Sequence, residues 1–192
     1  MGAPLIRAAL FLIDILFSLY ILAVLLRFLF QLVRADFYNP FSQALVKITN
    51  PALLPLRRII PGLYGLDLAA AALLLILECL KNYLLLLIVG RSANMVGLLL
   101  FSVAGLLELM LYVFIVTTFA RVILSWFVPY GYHNPVLGLL RSLTEPLMRP
   151  ARRLIPPFSG LDLSPIAVFI LLYLTLIIAV QPLKSFGAGW LG

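Results

Sequence analysis

The sequence predicts an all-α membrane protein: four transmembrane helices arranged as two parallel-oriented repeats, each with a proline-broken amphipathic interfacial segment. Three observations predict it. The composition is too apolar for a soluble domain, four apolar stretches are long enough to cross a bilayer, and a proline- and arginine-bearing motif occurs twice. Of the 192 residues, 64% are apolar and 11% are charged, with 14 Lys+Arg against 7 Asp+Glu. A soluble domain is about 45–50% apolar and about 25% charged, so a soluble fold of this length would lack the charge to cover its surface. The single cysteine, Cys79, excludes a disulfide scaffold, and the apolar content excludes disorder.

Residues 8–33 form the first apolar stretch. It carries Asp14 and Arg27, and no small-x-small cleavage site closes it, so it reads as a retained first helix rather than a secretory signal. Residues 68–89 form the second stretch, interrupted by Glu78 and Lys81. The third, residues 96–128, contains Glu108 and Arg121 and exceeds what one crossing needs, so it is expected to tilt or protrude. The fourth, residues 163–180, carries no charge. Each can span about 30 Å of hydrocarbon as a helix. Residues 90–95 make a short turn, whereas residues 34–67 and 129–162 are long, basic and amphipathic.

The long connections are copies of one motif. A shift of 95 places Asn39 and Pro40 on Asn134 and Pro135, and Pro51, Pro55 and Pro61 on Pro146, Pro150 and Pro156. It also places Arg57 and Arg58 on Arg152 and Arg153, and Gly65 and Asp67 on Gly160 and Asp162. From residue 39 to 68 there are 14 identities in 30 ungapped positions. Upstream, a shift of 94 sets Asp14 and Arg27 on Glu108 and Arg121, so both repeats show an acid followed 13 residues later by Arg. The units divide as residues 1–92 and 93–192, each a helix, a basic segment and a helix. Two crossings per unit make the repeats parallel, not inverted. The copies differ at Asn50/Glu145, Gly62/Pro157 and Ala70/Pro165.

The long connections hold eight Lys/Arg, against three in the termini and the short turn (Arg7, Arg91 and Lys184). This bias predicts cytoplasmic long connections and both termini outside.

The duplicated Asn-Pro, Pro-x3-Pro-x-Arg-Arg and Gly-Leu-Asp-Leu strings resemble those of the YggT family of bacterial membrane proteins, whose relatives extend to cyanobacteria and plastids. The resemblance covers nearly the whole chain, and the two-unit form is similar to the proteobacterial version. It implies an inner-membrane location. The roles it implies are osmotic and potassium homeostasis, a link to cell division and nucleoid organisation, and, in plastid relatives, assembly of a cytochrome haem. It implies no catalytic activity.

Within the motif, Asn39 and Asn134 suit helix N-caps, with Pro40 and Pro135 at the first helical position. Leu45, Ile48 and Thr49 share an apolar-leaning face and Lys47 lies on another. Pro51 and Pro55 are expected to break the ladder and leave two short, angled pieces on the cytoplasmic interface. Such a platform would present its arginines to lipid phosphate or to a protein partner. A bland alternative is that the arginines only fix topology. Asp67 and Asp162 read as N-caps, or as salt-bridge partners of the Arg pairs.

The charges inside the apolar stretches raise a second possibility. Arg27 and Arg121 can snorkel to the cytoplasmic edge. Asp14, Glu78, Lys81 and Glu108 share a depth near the midplane, where a charge costs about 2.5–3.5 kcal/mol unless it faces protein or water. They form either a polar path for a cation or a structural set, with Glu78 paired to Lys81 and with Asp14 and Glu108 protonated. His133 reads as interfacial. Cys79 reads as packing, and Trp126, Tyr130 and Tyr132 as an aromatic belt.

One His and one Cys cannot build a Cys/His zinc centre or a bis-His haem site, and no phosphate-loop or nucleophile-elbow motif occurs. No metal, cofactor or catalytic residue is therefore expected. The leading expectation is a non-enzymatic membrane organising or assembly factor. Its expected partners are anionic lipid headgroups, an unidentified membrane protein or a second copy of the chain, and not nucleic acid by base readout. A channel-like or accessory role in ion homeostasis is the alternative.

Overall fold

The computed structural model describes residues 3–63, 65–92, 94–127, 135–155 and 162–191. The order is α1 (Ala3–Leu32), α2 (Pro40–Ile59), α3 (Leu68–Val89), α4 (Met95–Phe127), α5 (Pro135–Leu154), α6 (Ser164–Thr175), a π turn (Leu176–Val180) and α7 (Gln181–Gly189). Among the described residues, four helical spans are long and apolar enough to cross a membrane: α1, α3, α4 and the run Ser164–Gly189. The protein is an all-α, multi-pass membrane protein. The lipid-facing sides of these spans are apolar, so most of the large exposed hydrophobic side chains lie on them.

The fourth span runs beyond the end of its uncharged sequence stretch. Pro182 has no N–H to give to the turn before it, and its ring would crowd the carbonyl four residues back. The chain widens just ahead of it into the π turn, where the Gln181 N–H reaches the Leu176 carbonyl. Helix then resumes to Gly189, which carries Lys184 onto the span instead of leaving it in a loose terminus. One extra residue in a turn rotates everything downstream by about 100°.

The proline-bearing segments also differ from expectation. α2 and α5 are each a single helix, with Pro51 and Pro55, or Pro146 and Pro150, inside. Spacing explains it. Prolines four apart lie on one face, and all four prolines are exposed. Both lost hydrogen bonds therefore fall on the outer side, where a helix can bend open. On the inner side Ser42, Leu45, Thr49 and Leu53 are buried and hold α2 to its neighbours. Ile48 faces outward at 54% exposure, so the buried face runs through Leu53 rather than Ile48.

α1 packs on α2 and α3, and α5 packs on α4 and α6. One apolar core joins α1, α2 and α3 and takes in Leu139 and Leu143 of α5. A second core joins α4, α5, α6 and the π turn around Met148, Val168 and Leu172. Glycines allow the closest approaches. A Cβ on Gly187 would sit 2.7 Å from the Phe101 backbone nitrogen, one on Gly97 2.8 Å from Trp190 Cβ, and one on Gly105 2.9 Å from Glu78 Oε1.

Candidate functional site

Each repeat is held by the same clasp. Thr49 on α2 donates its hydroxyl to the Leu45 carbonyl one turn back, at 2.7 Å. That leaves Oγ1 free to accept, and the Arg27 guanidinium of α1 donates to it at 2.6 Å. The same Nη1 lies 2.8 Å from Asn50 Oδ1 and 3.2 Å from the Val46 carbonyl. In the second repeat Thr144 donates to the Leu140 carbonyl at 2.7 Å and accepts from Arg121 Nη1 at 2.8 Å. Arg121 Nη2 donates to Glu145 Oε2 at 3.2 Å. The arginines thus grip the middle of α2 and α5 beside the internal prolines, in place of snorkelling free.

A brace closes the far end of each amphipathic helix. Arg57 Nη2 lies 2.5 Å from Asp67 Oδ2, and Arg152 Nε lies 3.0 Å from Asp162 Oδ2. Asp67 Oδ1 accepts the Ala70 N–H at 3.1 Å as the N-cap of α3. Cap and salt bridge therefore coexist. The second copy departs because Pro165, at the position of Ala70, has no N–H. Asp162 turns instead to Ser164, accepting its N–H at 3.0 Å and its hydroxyl at 2.5 Å, and sits one residue before the helix cap. Partial burial tends to raise the Asp162 pKa. The Ser164 bonds and Arg152 outweigh it and hold the carboxyl below the usual carboxylate range.

Each pair is thereby divided. Arg57 and Arg152 are structural, while Arg58 and Arg153 are exposed and make no ion pair among the described residues. Asn39 caps α2 by accepting the Phe41 N–H at 2.9 Å, with Pro40 following it. Its amide also donates to the Pro135 carbonyl at 2.8 Å, joining the starts of the two amphipathic helices. Pro61 follows the C-cap residue of α2, Ile60, and Gly65 adopts φ +84° in the turn between Leu63 and Leu66. Asn134, Pro156 and Gly160, with Tyr130, Tyr132 and His133, lie outside the described residues.

The charges of the spans fall into two sets. On α3, Glu78 is buried and pairs with Lys81 at 2.8 Å. Asn82 Nδ2 lies 3.4 Å from Glu78 Oε1 and 3.1 Å from Ser102 Oγ of α4. Lys81 also lies 4.0 Å from Asp14, whose side chain is 60% exposed. Glu108 belongs to the other set, where it pairs with Lys184 of α7. Lys184 also sits 5.5 Å from the centre of the Phe101 ring. Glu108 is thus not self-contained: it has a cationic partner that the longer fourth span brings within reach.

Sequence reasoning missed Thr144, Asn82 and Ser102, and gave Thr49 and Lys184 no bonding role. The threonines had a signal: Thr49/Thr144 is one of the repeat's identities and stands beside the paired Arg27/Arg121. Lys184 had none, because nothing in the local pattern shows that helix continues through Pro182.

The CCB3/YggT family model matches the chain twice, at residues 6–88 and 100–183. The chain is 44% identical over 180 residues to the uncharacterized protein PA0392 of Pseudomonas aeruginosa, covering 93% of this chain and 91% of that protein. It is 37% identical over 181 residues to the uncharacterized protein YggT of Escherichia coli K12, covering 92% of each. The uncharacterized protein ycf19 of Guillardia theta is 34% identical over 80 residues, covering 42% of this chain and 84% of that protein. No solved structure matches.

Proposed function

The chain belongs to the CCB3/YggT family, and from that premise we propose that it is a non-enzymatic organising or assembly factor of the bacterial inner membrane. In this reading α2 and α5 lie on the cytoplasmic side, both termini are periplasmic, and the two helices present cations to anionic lipid headgroups and to a membrane protein partner. A second copy of the chain is one candidate for that partner. One observation carries the reading. Each repeat commits its first paired arginine to an aspartate and leaves the second exposed on a helix that is clasped in its middle and braced at its end. Topology alone would need the charge and not the clasp.

The test uses Arg58→Glu with Arg153→Glu, which spares both braces. Wild type and variant are extracted in native-lipid discs, and the co-purifying lipids and proteins are compared. The expected result is a lower fraction of anionic lipid and loss of at least one membrane protein. An unchanged lipid and protein profile rejects the proposal.

A second reading, ion homeostasis, is favoured by one specific feature. The exposed Asp14 connects through Lys81 to buried Glu78, Asn82 and Ser102, a polar chain within the spans. Potassium and proton flux in proteoliposomes test it with the Asp14→Asn, Glu78→Gln, Glu108→Gln triple variant. Flux equal to that of wild type removes this reading.

A further inference from the structure

We propose that α5, with the residue that follows α1, forms an open cleft for the phosphodiester of an anionic membrane lipid, gripped by Arg141 and Arg149. This rests on the membrane-surface reading above and names a ligand and a place for it.

The cleft has a volume of about 650 Å³ and lies between Val33, just past the end of α1, and a face of α5 that carries Arg141, Ser142, Glu145 and Arg149. Ligand pockets commonly fall in the range of about 300–1,000 Å³. Arg141, Glu145 and Arg149 stand at successive four-residue steps, so they form one row about 12 Å long. Glu145 would repel an anion if it were free, but it is already engaged. Arg121 lies 3.2 Å from it, Arg152 3.6 Å and Arg149 3.9 Å. Arg152 is shared with Asp162. Four arginines (121, 141, 149, 152) therefore face two carboxylates (145, 162), which leaves two positive charges over.

The surplus sits on the two exposed side chains. Arg149 is 69% exposed and touches Glu145 only loosely, and Arg141 is exposed and makes no ion pair among the described residues. The Ser142 hydroxyl already donates to the Gly138 carbonyl. Recognition therefore falls to the guanidinium groups, whose planar forks suit phosphate oxygens. The first repeat has Val46, Asn50 and Leu54 where the second has Arg141, Glu145 and Arg149. The shared motif does not require this chemistry, and loop charge for topology is met without it. Position selects lipid over free phosphate. Val33, the residue after the end of the α1 span, puts apolar wall beside the basic row.

The experiment titrates the detergent-purified full chain with short-chain phosphatidylglycerol, short-chain phosphatidylcholine and inorganic phosphate. Phosphatidylglycerol is expected to bind saturably. Its affinity should fall about tenfold or more in Arg141→Ala with Arg149→Ala, the loss of a charge-assisted contact. Arg141→Lys with Arg149→Lys should fall between the two. Phosphatidylcholine is expected to bind weakly and phosphate not to compete. Unchanged affinity in both double variants overturns the cleft, and so does phosphate binding as tightly as the lipid. Arg58→Glu with Arg153→Glu, which lie outside the cleft, should keep saturable phosphatidylglycerol binding and lose clearly less affinity than Arg141→Ala with Arg149→Ala. If that variant alone loses affinity, the cleft fails while the broader membrane-surface reading stands. If neither set loses it, both lose their support from lipid.

Discussion

The two repeats make the same clasp, one with neutral acceptors and one with a carboxylate. Arg27 is 4% exposed and is held by neutral acceptors: a hydroxyl, an amide oxygen and a backbone carbonyl. Arg121 has the equivalent threonine, but Glu145 stands where the first repeat has Asn50. What both copies keep is the arginine–threonine grip beside two prolines. What they vary is who neutralises it. The clasp is thus a geometric device, and charge around it is free to take on another task. In the second repeat that freedom accompanies the extra arginines of the basic cleft.

The largest effect that would break this comparison comes from removing each arginine in turn. Arg27→Ala leaves the Asn50 amide and the Val46 carbonyl short of a donor in a packed site, and should cost about 3 kcal/mol. Arg121→Ala leaves Glu145 with Arg149 and Arg152 nearby, and should cost about half as much. Arg27→Lys should recover little, since one ammonium cannot reproduce the planar fork. Thermal unfolding in detergent reads all three, and equal losses for Arg27→Ala and Arg121→Ala would show that Glu145 contributes nothing distinct.

Next in size is a contrast between the parts of the repeats that lie away from α2 and α5. The second seals its acid with Lys184 and packs α7 on α4 through glycine, while the first leaves Asp14 60% exposed beside α3. Gly187→Ala places a methyl group 2.7 Å from backbone that cannot swing aside, and should cost about 2 kcal/mol. Gly189→Ala has nothing within 4 Å and should be neutral or slightly stabilising, by up to about 1 kcal/mol. Similar unfolding temperatures for the two variants would mean that α7 does not depend on close approach to α4.

How far these arrangements could be read from sequence follows from the range of the forces involved. The spans and the caps at Asn39 and Asp67 are local matters of hydropathy and a side chain reaching two or three residues ahead, so the residues themselves predict them. Continuous α2 and α5 were not readable from the prolines alone. A proline's penalty is local, whereas the burial of Ser42, Leu45, Thr49 and Leu53 that offsets it depends on α1 and α3. The Glu108–Lys184 pair lay further out of reach, because it depends on a π turn that alters the register of everything after Val180. The repeat alignment set Arg27 on Arg121 but could not show that each would find a threonine on the following helix.

Exchanging the neutralising residue sharpens the comparison directly. Asn50→Glu would give Arg27 the carboxylate that Arg121 already has, at a position where Asn50 Oδ1 is now 2.8 Å away. A stabilisation of about 1 kcal/mol is expected, the difference between a neutral and a charge-assisted acceptor. Destabilisation would mean that the first site is shaped for the shorter side chain, and the two clasps would then differ in geometry as well as in charge.

The smallest effect concerns the braces and acid. Asp162 is held below the usual carboxylate range by Ser164 and Arg152 despite partial burial. A carboxyl whose folded pKa is depressed stabilises the fold above its unfolded value, about 3.9, and the benefit is lost as pH falls through the lower folded value. Wild type should therefore exceed Asp162→Asn in unfolding temperature near neutrality, and the gap should narrow below about pH 4. Asp162 is 39% exposed, so solvent screening keeps the effect small. A gap that stays constant down to the lowest pH the detergent tolerates would mean that the aspartate acts by shape alone. The Pro165 departure would then have left the second brace without electrostatic consequence, and the braces would not distinguish the two repeats.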